Sequence, residues 1–266
     1  MFAVHVNGVP ATTEDLAPLA FGGYAHYTSM QVRDRAIRGL DLHLVRLRDG
    51  SEELFGTRPE PGRLRGLIRI AVAAGPPDVS LVATIFASDR DAVLRGETVE
   101  PEVLVRTSSP ITVHTGRSMR LRTVPFERFL PHLKNVATLG QTYFPRQAAS
   151  DGIDDVLFVD RHGNVSESSI WNVAFWDGTH VIWPDAAMLR GVTMSLVALG
   201  LEQHAVSQIT RPVPADTLAE FTAVALMNSW TPAARVNAID GVAFPGDERF
   251  LALLRDAYAS QPAEPV

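Results

Sequence analysis

Residues 132–141 read HLKNVATLGQ and contain Lys134, the single lysine of a 266-residue chain. Of the 24 basic residues the other 23 are arginine. Arginine replaces lysine readily on a solvated surface, but its guanidinium is effectively never deprotonated, whereas a lysine amine can shed its proton and attack a carbonyl. A lone lysine in so arginine-rich a chain therefore marks either a place where only an amine works or a chance surface position. Composition alone leaves both open.

The sequence before this stretch reads as one α+β unit. Apolar alternation in FAVHVNG (2–8) and YAHYTSMQV (24–32) predicts an opening pair of strands. DLHLVRLRDGSEELFG (41–56) has the i, i+3, i+4 apolar spacing of a helix, and a second helix at RLRGLIRIAVAAG (63–75) stops at Gly75-Pro76-Pro77. DVSLVATIFAS (78–88) and PEVLVRTSS (101–109) read as strands. SMRLRTVPFERFL (118–130) reads as a crossing, so the expected division is a domain at 1–118, a linker at 119–130 and a second domain at 131–266 that carries the lysine.

In the second domain TLGQTYFPRQAASDG (138–152) reads as helix, and 154–178 as two strands around a His-Gly-Asn turn. HVIWP (180–184) is a short strand and GVTMSLVALGLEQH (191–204) a helix entered through a glycine. AVSQIT (205–210), FTAVALMN (221–228) and ARVNAIDG (234–241) add strands, and DERFLALLRDAYAS (247–260) closes with helix. Two α+β halves around an active cleft is the expected architecture.

Several function classes fall away. The formal charge is −6, with no basic block to neutralise a run of phosphates, so no nucleic acid is expected as partner. No basic n-region with an apolar h-region opens the chain, and VTMSLVALGL (192–201) falls far short of the ~18–20 residues of a membrane span. A cytoplasmic, non-membrane protein is expected. With no cysteine there is no disulfide framework or thiolate site, and the eight histidines form no HExxH-like pair, so no metal is expected.

Four segments in order carry a resemblance: LHLVRL (42–47), HLKNVATLGQ (132–141), VSESSIWNVAF (165–175) and MLRGVTM (188–194). Together they resemble the class IV aminotransferases, the fold type IV pyridoxal-phosphate enzymes, which include branched-chain and D-amino-acid aminotransferases and aminodeoxychorismate lyase. The resemblance runs from about residue 20 to 241. It implies an α+β, two-domain enzyme with its active site in the interdomain cleft and pyridoxal 5′-phosphate as cofactor.

By this resemblance Lys134 is the Schiff-base lysine, which needs an amine to form an imine and then shuttle a proton. Glu167 is the carboxylate that keeps the pyridine nitrogen protonated, so that the ring absorbs the electron pair released at the substrate Cα. Ser168-Ser169 follows it where the family usually begins with Gly, and Asn172 on the next strand is a candidate to orient the site. Arg46, one turn after His43, matches the arginine that grips the cofactor phosphate. Val192 and Thr193 stand at a helix start that would cradle the same phosphate, and Leu189 would pack on the ring. Ser229 and Thr231, in the loop Asn228-Ser229-Trp230-Thr231-Pro232, match the last phosphate contacts, although Trp230 and the Arg235-Val236 pair depart from the usual pattern. Tyr27 and Trp230 fall on the substrate side, with Phe86 as a further aromatic. Arg90 has no assignable place in a carboxylate trap.

The implied activity is exchange of an amino group between an amino acid or primary amine and a 2-oxo acid by a ping-pong mechanism in a homodimer. The alternatives are aminodeoxychorismate lyase, which releases pyruvate, and a cofactor-binding protein without productive catalysis.

Overall fold

The computed structural model describes residues 2–111 and 118–266. It divides into two compact units, one of Met1–Thr112, Leu133–Ala137 and Pro262–Val266, the other of Val113–His132 and Thr138–Gln261.

The first unit runs β1 (Ala3–Val6), β2 (Val9–Pro10), α1 (Thr13–Gly22), β3 (Ala25–Arg33), β4 (Ala36–Arg38), α2 (Leu40–Phe55), α3 (Pro61–Ala73), β5 (Val79–Phe86), α4 (Arg90–Leu94) and β6 (Glu102–Ser108). The C-terminal Ala263–Pro265, β16 in chain order, completes an antiparallel sheet in the order β16-β4-β3-β5-β6-β1-β2. Leu40, Leu44 and Leu47 of α2 and Leu64, Ile68 and Val72 of α3 recur at helical spacing. They bury one face of the sheet, meeting Met30 and Val32 of β3 and Leu81, Ala83 and Ile85 of β5, which alternate as strand geometry requires.

The two expected opening strands both exist but are not partners: β1 pairs with β2 and β6, and β3 with β4 and β5. Helix α1 lies between them in sequence. It escapes a periodicity reading because none of its residues is buried and Pro18 lies inside it. Its signal is the reciprocal capping box of Thr12 and Asp15.

The second unit runs β7 (Met119–Pro125), α5 (Leu139–Ser150), β8 (Asp155–Val159), β9 (Val165–Ser168), β10 (Asn172–Trp176), β11 (Val181–Pro184), α6 (Val192–Gln203), β12 (Gln208–Arg211), β13 (Ala223–Met227), β14 (Ala234–Ile239), β15 (Val242–Ala243) and α7 (Glu248–Ala259). Its sheet has the order β12-β11-β10-β13-β14-β7-β8-β9, with β15 on β14. Both faces are covered. Val173 and Phe175 of β10 and Val224 and Leu226 of β13 bury one side with Phe221 and Phe244, while Ala174, Ala225 and Met227 turn to the α6–α7 layer. Those two helices cross closely at Gly200, where a β-carbon would overlap the Ala257 backbone. Among the described residues no helix is long and apolar enough to cross a membrane.

Three expectations differ from the structure. Met119–Pro125, read as linker, is β7, a strand between β14 and β8 that is parallel to both. The 154–178 region holds three strands, not two. The lysine segment groups with the first unit, where Lys134 O accepts from Tyr27 N at 2.9 Å and Val136 N donates to Ala25 O at 3.1 Å.

Candidate active site

Within the first unit, β3 and α2 position the lysine's surroundings. The main-chain bonds to β3 fix the Lys134 segment, and its Nζ lies 4.8 Å from the Tyr27 ring centroid. An ammonium over a tyrosine face gains about 0.5–2 kcal/mol, depending on desolvation. The next inward-facing residue, Thr28, shares a 2.6 Å hydrogen bond with His43 Nδ1, which ties β3 to α2. Burial, with the charges of Arg46 and Lys134 adding to it, lowers the His43 pKa to about 3. His43 is thus neutral, and Arg46 follows it by one helical turn, half-buried.

Within the second unit, Glu167 on β9 is buried at 5% exposure. Its Oε1 accepts from Leu189 N at 3.2 Å and lies 3.4 Å from Arg128 Nη1. Both side chains of that ion pair are under one tenth exposed, so the pairing favours an ionised carboxylate. Sequence reasoning missed Arg128, and one arginine among 23 carries no signal of its own.

Asn172, at the start of β10, reaches both sides of the loop into α6. Its Nδ2 donates to Leu189 O at 2.7 Å and its Oδ1 accepts from Gly191 N at 3.0 Å. A β-carbon on residue 191 would overlap that oxygen, so any other residue there would displace the Asn172 side chain. Gly191 is the N-cap of α6 and, having no side chain, caps none of the first amides. Val192 and Thr193 begin the helix, both buried, with the Thr193 side chain among the few buried hydroxyls. The structure thus brings Glu167, Leu189, Asn172 and the α6 start together through hydrogen bonds.

Residues 228–231 form a tight turn, closed by Asn228 N to Thr231 O at 2.9 Å. Asn228 Oδ1 takes the amides of Trp230 and Thr231 at 3.0 and 3.1 Å. Those two amides are spent inside the turn. Asn228 Nδ2 and Trp230 Nε1 are buried without a hydrogen-bond partner. Phe86 is 1% exposed and presents no surface to a ligand, which removes it from the substrate side. Arg90 lines a groove with Pro18, Phe21, Tyr24 and Ser88, a set that includes neither Tyr27 nor Lys134.

Residues 25–239 match the family model described as amino-transferase class IV. Among solved structures the chain is similar to a fold IV transaminase from Curtobacterium pusillum, at 22% identity and TM-score 0.80, over 92% of this chain and 89% of that one. It is similar to a hypothetical aminotransferase from Mycobacterium tuberculosis in its PLP-bound form, at 22% identity and TM-score 0.80, over 97% and 99% of the two chains. A putative 4-amino-4-deoxychorismate lyase from Legionella pneumophila aligns at 18% identity and TM-score 0.77, over 89% and 91%. No curated protein matches the chain. These likenesses concern the fold, which is that of the fold type IV enzymes. Since the family match spans most of the sequence and takes in Arg46, Lys134, Glu167 and the α6 start, the protein belongs to the class IV aminotransferase family, whose cofactor is pyridoxal 5′-phosphate.

Proposed function

We propose that the protein is an aminotransferase that exchanges an amino group between an amino acid or primary amine and a 2-oxo acid by a ping-pong scheme, working as a cytoplasmic homodimer. The observation that carries this reading is the chain's one lysine, held by its main chain on β3 with its amine over the Tyr27 ring.

The donor set fits pyridoxal phosphate. A phosphate is an acceptor-only dianion, and the groups that would hold it are the Arg46 guanidinium, the α6 amides that no side chain caps, and the hydroxyls of Thr193, Ser229 and Thr231. A basic ring nitrogen calls for a buried carboxylate, and Glu167 is one. When bound, the cofactor supplies an aldehyde for an amine to join and a ring that accepts the electron pair from the substrate Cα.

Lys134 would act twice, first as the amine that holds the cofactor and then as the base that carries the proton released at the substrate Cα. His43, being neutral itself, adds no charge beside the amine. Glu167 would hold a proton on the ring nitrogen, with Leu189 N and Arg128 keeping its carboxylate in place, and Leu189 would pack on the ring. Tyr27 lines the substrate side.

The test is the acceptor half-reaction. Cofactor-loaded protein treated with an amino donor should lose its starting absorbance band stoichiometrically and regain it on addition of pyruvate or 2-oxoglutarate. Pyruvate release from aminodeoxychorismate without any acceptor, and with no spectral half-reaction, would make the protein a lyase instead.

A further inference from the structure

Among the described residues two carboxylates are buried, Glu167 and Asp155, and they lie on neighbouring strands. The chemistry proposed above uses the first and leaves the second without a task. Asp155 opens β8 at 5% exposure. Its Oδ2 accepts from Ser169 Oγ at 2.8 Å and Trp171 Nε1 at 3.1 Å, and its Oδ1 from Val156 N at 2.7 Å. Burial pushes its carboxyl upward, against the hydrogen bonds from Ser169, Val156 and Trp171.

The two side-chain donors stand two and four residues beyond Glu167. They flank the turn that ends β9 and begins β10, which Ser168 N closes on Trp171 O at 2.9 Å. The turn reads Ser-Ser-Ile-Trp; it lacks the Gly, Pro, Asn and Asp that fix a turn most strongly, and serine does so only weakly. A strand partner 14 residues upstream holds it instead. Glu167 sits one residue before this turn and Asn172 one residue after it, so whatever fixes the turn fixes both.

We propose that Asp155 is a positioning residue for Glu167: by tying Ser169 and Trp171 to the start of β8 it sets the height of the β9 end, and with it the point at which the Glu167 carboxylate meets the ring nitrogen. The proposal rests on the reading of Glu167 as that nitrogen's partner. It gives Ser169 and Trp171 a shared purpose, because both spend their polar hydrogens on one oxygen. Truncating the carboxylate would leave two part-buried donors without their shared acceptor.

The experiment uses holoenzyme loaded with pyridoxal phosphate labelled with 15N in the ring, whose shift reports protonation of that nitrogen. Asp155→Ala and the double variant Ser169→Ala/Trp171→Phe should both move the signal toward the unprotonated position, as Glu167→Gln does. The turnover number should fall about tenfold, while substrate KM and cofactor Kd stay within about twofold. Asp155→Asn, which keeps an oxygen for the two donors, should hold the wild-type shift. Folded variants that keep the wild-type signal while Glu167→Gln moves it overturn the proposal and leave Glu167 standing. If Asp155→Ala does not fold, the double variant decides, since it leaves the carboxylate in place. If Glu167→Gln itself leaves the signal unmoved, the assignment of Glu167 falls, and the proposal with it.

Discussion

Gly191→Ala is the sharpest test of how the α6 start is built. The backbone there has φ −64° and ψ 147°, which alanine adopts freely, so the cost is not conformational strain. It is steric. A β-carbon would lie well under 3.0 Å from Asn172 Oδ1, closer than real β-carbons come, and 3.4 Å from Asn172 Cγ. The Asn172 carboxamide must then swing away, which breaks its bonds to Leu189 O at 2.7 Å and from Gly191 N at 3.0 Å. Each such bond is worth about 0.5–1.5 kcal/mol net, and each buried group left without a partner costs about 1–3 kcal/mol. A loss of about 2–4 kcal/mol in the order of residues 189–191 follows, and since about 1.4 kcal/mol is tenfold in affinity, pyridoxal phosphate should bind on the order of 10²-fold more weakly. Titration of apoprotein by absorbance measures this, and a urea midpoint shows that the variant folds. The cause is isolated by repeating the change in an Asn172→Ala background, where the clash is gone and the added cost should shrink to about 0.5 kcal/mol or less. A folded Gly191→Ala protein with cofactor affinity within threefold of wild type would refute the reasoning.

Lys134→Ala and Lys134→Arg should both fold and be inactive, because neither offers an amine that deprotonates near neutral pH; borohydride reduction of the wild type with peptide mapping should place the cofactor on residues 132–141, and label on any other peptide ends the assignment. Arg46→Ala and Thr193→Ala should weaken cofactor retention on dialysis, with activity restored by excess cofactor; full retention with a lower rate at saturation would show a different role. Stability should fall on acidification through two buried histidines, since burial lowers His26 to about 4 and His43 to about 3, both below the unfolded value of 6.5. The unfolded chain then binds those protons first, so stability present above about pH 6.5 is lost between there and about pH 4, at about 1.4 kcal/mol per pH unit for each histidine. His26→Gln should halve that slope in urea titrations, and an unchanged slope would place the acid sensitivity elsewhere.

What the sequence made legible follows from where its information is local. Helix α2 was readable because Leu40, Leu44 and Leu47 repeat along one face, and β5 because its inward residues alternate. Lys134 stood out by composition, and Arg46, Glu167 and Thr193 by their register with it. The misses share the opposite property. Met119–Pro125 reads as a polar crossing since Leu121 is its single fully buried residue, and only its partners Ile239 and Asp155, far away in sequence, make it a strand. The break between β9 and β10 is nearly silent because its turn carries only serine as a turn residue and is tied by Asp155 from another strand. Arg128 becomes visible only once Glu167 is beside it.

The same contrast bears on how the two carboxylates divide their work. On the proposed reading Glu167 is identifiable from its motif because its partner is the cofactor, so the residue type is constrained by chemistry outside the chain. Asp155 answers to Ser169 and Trp171, side chains of this protein, and is constrained by them alone. A chain with glycine after the glutamate can shape that turn by backbone freedom; here Ser168 occupies the place, and the side-chain tie supplies the order that the backbone does not. It follows that Ser168→Gly should leave the wild-type protein nearly unchanged but make the Asp155→Ala defect larger, since a looser backbone then has nothing to hold it. A glycine that instead rescued Asp155→Ala would mean that the turn finds its shape by local preference, and that Asp155 contributes only to stability.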